Sequence, residues 1–208
     1  MARIKQADHE KNTQQTRQRL LDAAAAEFAK AGFLGANINT ISLAAGYAKG
    51  TVYNYFPSKR ALLLALIDDA AQQHREFMIS RVNVERDPAR RLELFLEAGF
   101  EFVRLHLPQA RVLFNTINGA DEPLKAYVFE SYQPLFKYLS DEILAPGIAQ
   151  GIFRPFEPAS MATLLMTVYL GTASQRNLKG EAWLDPQQVA ALVLDGVRRP
   201  KEVDHGHV

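Results

Sequence analysis

The sequence predicts an all-α protein of about nine helices. Apolar residues recur with helical spacing along most of the chain, and no segment alternates polar and apolar residues between turn signals, as a strand does. Glycine or proline marks the ends of most helical stretches. Of the 208 residues, 48% are hydrophobic and 23% are charged, so the chain can bury a core and is not a disordered tail.

The N-terminal third contains four predicted helices. Gly32 is the stop signal of the first, Gly46 separates the second from the third, and Pro57 ends the third. Ser58 then caps a long helix. These helices cover residues 16–31, 39–45, 48–56 and 58–81.

The remainder of the chain contains five further helices. Asp87 and Pro88 begin the next one as its N-cap and first residue, and Pro134 predicts a bend in a later one. The five helices cover residues 87–107, 109–118, 122–144, 158–178 and 186–197.

Composition excludes several classes of function. The chain has no cysteine, which rules out a disulfide framework, a thiolate metal site and a cysteine nucleophile. Its five histidines have no metal-binding or triad-like spacing, and no glycine-rich phosphate loop occurs. We therefore expect no cofactor and no enzyme activity. The start of the chain is polar and the longest uncharged stretch contains Ser and Thr, so we expect a cytoplasmic protein.

The net charge of +1 hides an uneven distribution. Residues 1–60 carry a net charge of +5, and the other 148 residues carry −4. A basic N-terminal part on an acidic body is typical of a nucleic-acid reader attached to a second domain. A basic, solvated tail explains the same charges equally well. A sequence motif is therefore needed to distinguish the two interpretations.

Residues 39–55 have the pattern of a helix-turn-helix. Ile41 and Val52 are expected to face inward from the two short helices, with Gly46 in the turn between them. The second helix offers polar residues outward. Lysine neutralises phosphate, Tyr and Thr hydroxyls donate to phosphate oxygens, and Asn or Thr reaches base edges. A chance two-helix corner is the competing interpretation.

Residues 16–64 resemble the N-terminal region of the TetR family of transcriptional repressors. The resemblance lies in TRQRLLDAAAAEFAKAGF and in INTISLAAGYAKGTVYNYFPSKRALL. The positions that match the family pattern are Ile38, Ile41, Ala45, Gly46, Lys49, Gly50, Thr51, Tyr53, Tyr55, Phe56, Pro57, Ser58 and Lys59. Four positions depart from it. Ala48 replaces Ser or Thr and removes the usual side-chain N-cap, Tyr47 replaces a smaller residue, and Leu43 and Ala44 replace polar ones.

The resemblance implies a division of the chain by function. Residues 1–15 would be a flexible basic arm, 16–62 the DNA-binding domain, 63–200 a ligand-binding and dimerisation domain, and 201–208 a tail. It also implies a set of DNA-contacting residues: Thr40, Lys49, Gly50, Thr51, Tyr53, Asn54 and Lys59.

Aromatic residues are concentrated between residues 95 and 138 of the body. A packed core and an apolar cavity for a ligand both fit this pattern. The resemblance implies a cavity in the C-terminal domain. The expected lining residues are Phe95, Phe102, Phe114, Tyr132 and Tyr169.

The last two predicted helices are apolar over much of their surface, which is more than one chain readily buries. The two-fold dimer implied by the resemblance would cover them. The expected interface residues are Leu165, Val168, Leu192 and Val193. Burial within one chain is the alternative.

The expected function is that of a ligand-responsive repressor, not an enzyme. A homodimer would bind double-stranded operator DNA of pseudo-palindromic sequence, and a small, largely apolar or aromatic effector would release it. Two alternatives stay open. One is a small-molecule-binding dimer with weakened operator recognition, and the other is an activator.

Overall fold

The computed structural model describes residues 2–175 and 185–198. Those residues contain α1 (Ala2–Gly35), α2 (Ile38–Ala44), α3 (Lys59–Val82), α4 (Pro88–Leu105), α5 (Leu107–Ile117), α6 (Glu122–Lys137), α7 (Ala145–Ala149), α8 (Pro158–Ser174) and α9 (Pro186–Val197). A 3-10 helix covers Thr51–Asn54, and a π-helix covers Tyr138–Leu144. The predicted all-α class is confirmed. No helix in the described part is long and apolar enough to cross a membrane.

The first helix is longer than the sequence predicts. It begins at Ala2 and not at residue 16, because the preceding segment is rich in Ala, Lys, Gln and Arg and contains neither proline nor glycine. Residues 2–15 of the expected flexible arm are therefore helical. Gly32 interrupts α1 as the predicted stop signal, because its φ of 69° and ψ of 173° are not helical, and a short helical segment to Gly35 follows the kink.

Capping residues set most other helix bounds. The Ser58 hydroxyl accepts a hydrogen bond from the backbone N–H of Ala61, and Asp87 accepts from the first turn of α4, as predicted. The predicted bounds of α9 are confirmed, with Asp185 as its N-cap. Helix α8 ends at Ser174, four residues before its predicted end, because Gln175 has an extended backbone; residues 176–178 lie outside the described residues.

Two predicted helices differ from the structure in their C-terminal parts. Pro108 has no N–H to donate and would clash with the preceding turn, so α4 ends at Leu105 and α5 follows as a separate helix. The predicted helix 122–144 is α6 followed by the π-helix. Arg91 of α4 donates a hydrogen bond of 2.6 Å to the carbonyl oxygen of Glu142 in that π-helix.

The chain forms two compact units. The first contains the described residues of 1–72 and 106–131, where α1 packs against α2 and α5. The second contains those of 73–105 and 132–208, where α4 packs against α7, α8, α9 and the π-helix. The functional boundaries expected from the sequence remain predictions.

Candidate functional site

The first unit carries a helix-turn-helix with an exposed polar surface. Its two helices are α2 and the 3-10 helix, and Gly46 turns the chain between them with a φ of 84°. Ile41 and Val52 are fully buried and hold both helices to the core. Among the candidate DNA-contacting residues, Thr40, Lys49, Tyr53 and Asn54 are exposed, and Thr51 is half-buried.

The second helix of this motif is only one turn long. We predicted a helix over residues 48–56, but helical geometry covers only Thr51–Asn54. Gly50 precedes it with a φ of 80°, in the left-handed region that residues with a side chain rarely adopt. A continuous helix through this residue is therefore excluded, and Gly50 sets the direction in which the 3-10 helix starts.

A hydroxyl group from α2 supports the start of the 3-10 helix. Ala48 has no side chain that can cap a helix, and the observed N-cap Gly50 has none either. The backbone N–H of Val52 instead donates to Oγ of the buried Ser42 at 3.3 Å. The preceding helix thus supplies the cap that the sequence lacks at residue 48.

Two hydrogen bonds tie the motif to α1. The Tyr47 hydroxyl donates to Oγ1 of Thr16 at 3.1 Å. The backbone N–H of Asn37, the N-cap of α2, donates to Oε1 of Glu27 at 3.0 Å. Tyr47, which departs from the family pattern, therefore has a structural partner in α1.

The Lys59 side chain binds the C-terminal end of α1. Its ammonium group donates to the carbonyl oxygens of Leu34 and Ala36, at 2.9 and 3.1 Å, and lies 5.2 Å from the centre of the Phe33 ring. A cation on the last carbonyls of a helix stabilises that terminus. These bonds use two of the three N–H donors of the ammonium group. We therefore assign Lys59 to the cap of α1, whereas Lys49 is exposed.

The second unit contains a buried aromatic cluster around His74, which sequence reasoning did not single out. The His74 ring stacks on Phe102 with a centroid distance of 4.2 Å and an interplanar angle of 4°. The rings of Tyr132 and Tyr169 lie 5.8 and 6.0 Å away. The Tyr169 hydroxyl lies 3.2 Å from Nε2 of His74 and donates to the carbonyl oxygen of Gly99 at 2.8 Å.

Gly99 makes this arrangement possible. A Cβ atom at residue 99 would lie only 2.8 Å from the Tyr169 ring, so a larger residue would push Tyr169 away. No local sequence pattern reveals this cluster, because its members come from α3, α4, α6 and α8.

Both the helix-turn-helix surface and the aromatic cluster around His74 offer hydrogen-bonding groups. Burial raises the pKa of Tyr132 and of Tyr169 well above the ordinary value, so both phenols are neutral donors. Within the described ranges, no three His, Asp or Glu side chains are grouped so that they could hold a metal ion.

Four of the five expected pocket residues lie in the second unit. Phe95, Phe102, Tyr132 and Tyr169 are buried there. Phe114 does not join them, since it is 40% exposed on α5 in the first unit. Two residues along a helix correspond to roughly half a turn, so Phe114 faces away from the buried side of α5 that holds Val112. We remove Phe114 from the candidate pocket.

Helices α8 and α9 expose apolar side chains. Leu164, Val168 and Leu192 are 55%, 38% and 76% exposed. Of the other expected interface residues, Val193 is half-buried, and Leu165 is buried inside its own chain. Leu165 therefore belongs to the core, and Leu164 is the neighbouring residue that is exposed.

Comparison with known proteins relates the helix-turn-helix to a family. The family model described as bacterial regulatory proteins of the tetR family matches residues 20–66. The HTH-type transcriptional repressor KstR2 of Mycobacterium tuberculosis (strain ATCC 25618 / H37Rv) is 30% identical over 141 residues. The matched region spans 65% of this chain and 68% of KstR2.

Two solved structures share the fold. AibR, in complex with isovaleryl coenzyme A and operator DNA, has a TM-score of 0.70 and 20% identity, with coverage of 89% of this chain and 99% of AibR. FadR from Bacillus subtilis, in complex with stearoyl-CoA, has a TM-score of 0.74 and 22% identity, with coverage of 86% and 95%. Together with the family match and the KstR2 relationship, the motif leads to one conclusion. The chain belongs to the tetR family of bacterial regulatory proteins, and it is a transcriptional regulator, not an enzyme.

Proposed function

We propose that the protein is a ligand-responsive transcriptional repressor. Two copies bind a pseudo-palindromic operator in the cytoplasm as a homodimer, and a small, largely apolar or aromatic effector releases them. The observation that carries the proposal is the exposed polar surface of a helix-turn-helix that is braced from α1 and capped by Ser42.

Each residue of this surface has a proposed role toward DNA. Lys49 neutralises a phosphate, and the hydroxyls of Tyr53 and Thr51 donate to phosphate oxygens. Asn54 reaches a base edge in the major groove. Gly50 lets the backbone approach the DNA without an intervening side chain. Thr40 adds a hydroxyl contact from α2.

An anisotropy titration with DNA from upstream of the gene tests this proposal. The salt dependence of binding should become weaker in Lys49→Ala, by a slope of about 0.9, because one phosphate contact is lost. Lys59→Met is the matched comparison. It should lower the melting temperature through loss of the α1 cap but keep the wild-type salt slope. Binding without salt dependence or without preference for the upstream DNA would overturn the proposal.

We propose that the apolar part of the effector is the acyl chain of an acyl-coenzyme A thioester. AibR and FadR, which share the fold, were solved with isovaleryl coenzyme A and stearoyl-CoA. The buried aromatic cluster of the second unit offers apolar surface with few polar groups, as a pocket for an acyl chain requires. Added thioester should lower the affinity for the operator in the same titration.

The apolar surface of α8 and α9 supports the proposed homodimer. Leu164, Val168 and Leu192 are large, apolar and exposed on these helices. Exposed apolar side chains of this size are typical of a surface that another protein covers. We propose a second copy of the chain as the partner, because a pseudo-palindromic operator has two half-sites and each half-site binds one copy.

A further inference from the structure

Arg17 of α1 is a cation that receives no hydrogen-bond acceptor from the protein. Its guanidinium carbon lies 5.4 Å from the centre of the buried Phe56 ring, and this ring is its only partner in the described part of the chain. Among the described residues, only Nε of Arg91 is a buried side-chain nitrogen or oxygen without a hydrogen-bond partner. The nitrogen atoms of Arg17 are therefore accessible to a molecule from outside.

Two contacts place Arg17 beside the helix-turn-helix. The preceding residue, Thr16, accepts a hydrogen bond of 3.1 Å from the hydroxyl of Tyr47. Arg17 itself lies over Phe56. Tyr47 begins and Phe56 ends the segment that carries most of the residues proposed to contact DNA. These contacts hold Arg17 next to that segment.

No carboxylate of the described residues pairs with Arg17. Residues 36–60, which include the whole motif, contain no Asp or Glu. On α1 itself, the carboxylate of Asp22 accepts a hydrogen bond from the side chain of Gln18. An unpaired guanidinium group in such surroundings attracts an anion from another molecule.

The position of Arg17 over Phe56 suits the binding of a phosphate. The planar guanidinium group can donate two parallel N–H bonds to two oxygens of one phosphate, and an aromatic ring beneath it restricts its orientation. Because the Phe56 ring is buried in the first unit, it provides a fixed support. The neighbouring helix-turn-helix makes DNA the source of that phosphate.

We propose that Arg17 binds a backbone phosphate of the operator. Two N–H groups of its guanidinium donate to two oxygens of the phosphate, while the Phe56 ring holds the guanidinium in place. Such a contact positions the motif on the duplex and reads no base. The proposal rests on the DNA binding proposed above, and it adds a contact from α1 to the set implied by the family resemblance.

Anisotropy titrations of the full-length protein at several salt concentrations test this contact. They use the upstream DNA and a random-sequence duplex of the same length, because a phosphate contact forms on both. In Arg17→Met, the slope of log affinity against log salt concentration should become shallower by about 0.9 for each bound copy, on both duplexes. Methionine keeps an apolar contact with the Phe56 ring.

Arg19→Met is the matched control. Arg19 is exposed and lies two residues further along α1, which is roughly half a turn, so it faces the other side of the helix. The substitution removes the same charge from the same helix and should keep the wild-type slope. Arg17→Lys should also keep the slope, because the charge remains, but should bind about tenfold weaker, because the paired donation is lost.

Three results would overturn the proposal. One is an unchanged slope in Arg17→Met, which would assign Arg17 to packing on Phe56 even if the affinity fell. Another is an equal loss of slope in Arg17→Met and Arg19→Met, which would indicate general attraction. The third is wild-type affinity in Arg17→Lys. Failure of the proposed function looks different, since the wild type would then bind the upstream DNA no better than the random duplex, while Arg17→Met still lowers the slope.

Discussion

The hydroxyl oxygen of Ser42 accepts the hydrogen bond that begins the 3-10 helix, and the residue is fully buried. Ser42→Ala should lower the free energy of unfolding by about 1–3 kcal/mol, because the buried N–H of Val52 loses this acceptor. Urea denaturation followed by circular dichroism measures the change. The same variant should weaken operator binding at a temperature where it is fully folded.

Ser80→Ala is the matched control for this substitution. Ser80 is exposed, and its hydroxyl donates to the carbonyl oxygen of Phe77 in the same helix. Its removal should change the free energy of unfolding by no more than about 0.5 kcal/mol. If Ser42→Ala lowered the free energy of unfolding by no more than Ser80→Ala does, the capping role of Ser42 would be contradicted.

At the scale of elements, two hydrogen bonds to the carboxylate of Asp68 hold α6 against α3. The hydroxyls of Tyr127 and Ser131, one helical turn apart, donate to Asp68 at 2.7 and 2.8 Å. The hydrogen bond to Asp68 raises the pKa of Tyr127 from 10.0 to about 12. Because the pKa of Tyr127 is raised in the folded protein, its protonated hydroxyl stabilises the fold. This stabilisation is complete below about pH 10 and is lost as the pH rises to about 12.

Tyr127→Phe should remove this part of the pH dependence. The wild type is expected to be more stable than the variant below about pH 10, and the difference should shrink between pH 10 and 12. Thermal melts across this range measure it, and tyrosinate absorbance follows the ionisation itself. Asp68→Asn should shift that ionisation to lower pH, because the charged acceptor is removed. If the difference in stability between the wild type and Tyr127→Phe were the same at all pH values, the proposed effect of Tyr127 ionisation on stability would be refuted.

At the scale of the whole molecule, the proposed dimer depends on the exposed apolar residues of α8 and α9. Leu192→Glu should weaken the dimer at least about tenfold, because a carboxylate would be buried in the interface without a paired cation. Analytical ultracentrifugation measures the dissociation constant. Operator affinity should fall with it, since both half-sites are no longer bound together.

Val84→Glu is the control for the dimer, because Val84 is 83% exposed in the same unit and lies outside any helix. It should leave the association state unchanged. Equal dissociation constants for Leu192→Glu and the wild type would exclude Leu192 from the interface.

Much of the fold could be predicted because its signals are local. The all-α class, the bounds of α9 and the turn at Gly46 follow from periodicity, proline positions and glycine within a few residues of each other. Predictions failed where a backbone conformation overrode the pattern. Gly50 in the left-handed region shortened the predicted helix 48–56 to one turn, although the residues around it match the motif.

By itself, the sequence determined the family and the class of fold, and it predicted the residues offered to DNA, since each rests on a motif of adjacent residues. Only the tertiary structure decided which of these residues have other partners. Ser42 accepts a hydrogen bond from Val52, 10 residues later, Lys59 binds a carbonyl 25 residues earlier, and Tyr169 reaches His74 across 95 residues. Packing brings such distant groups within hydrogen-bond distance, and no local pattern in the chain encodes that approach.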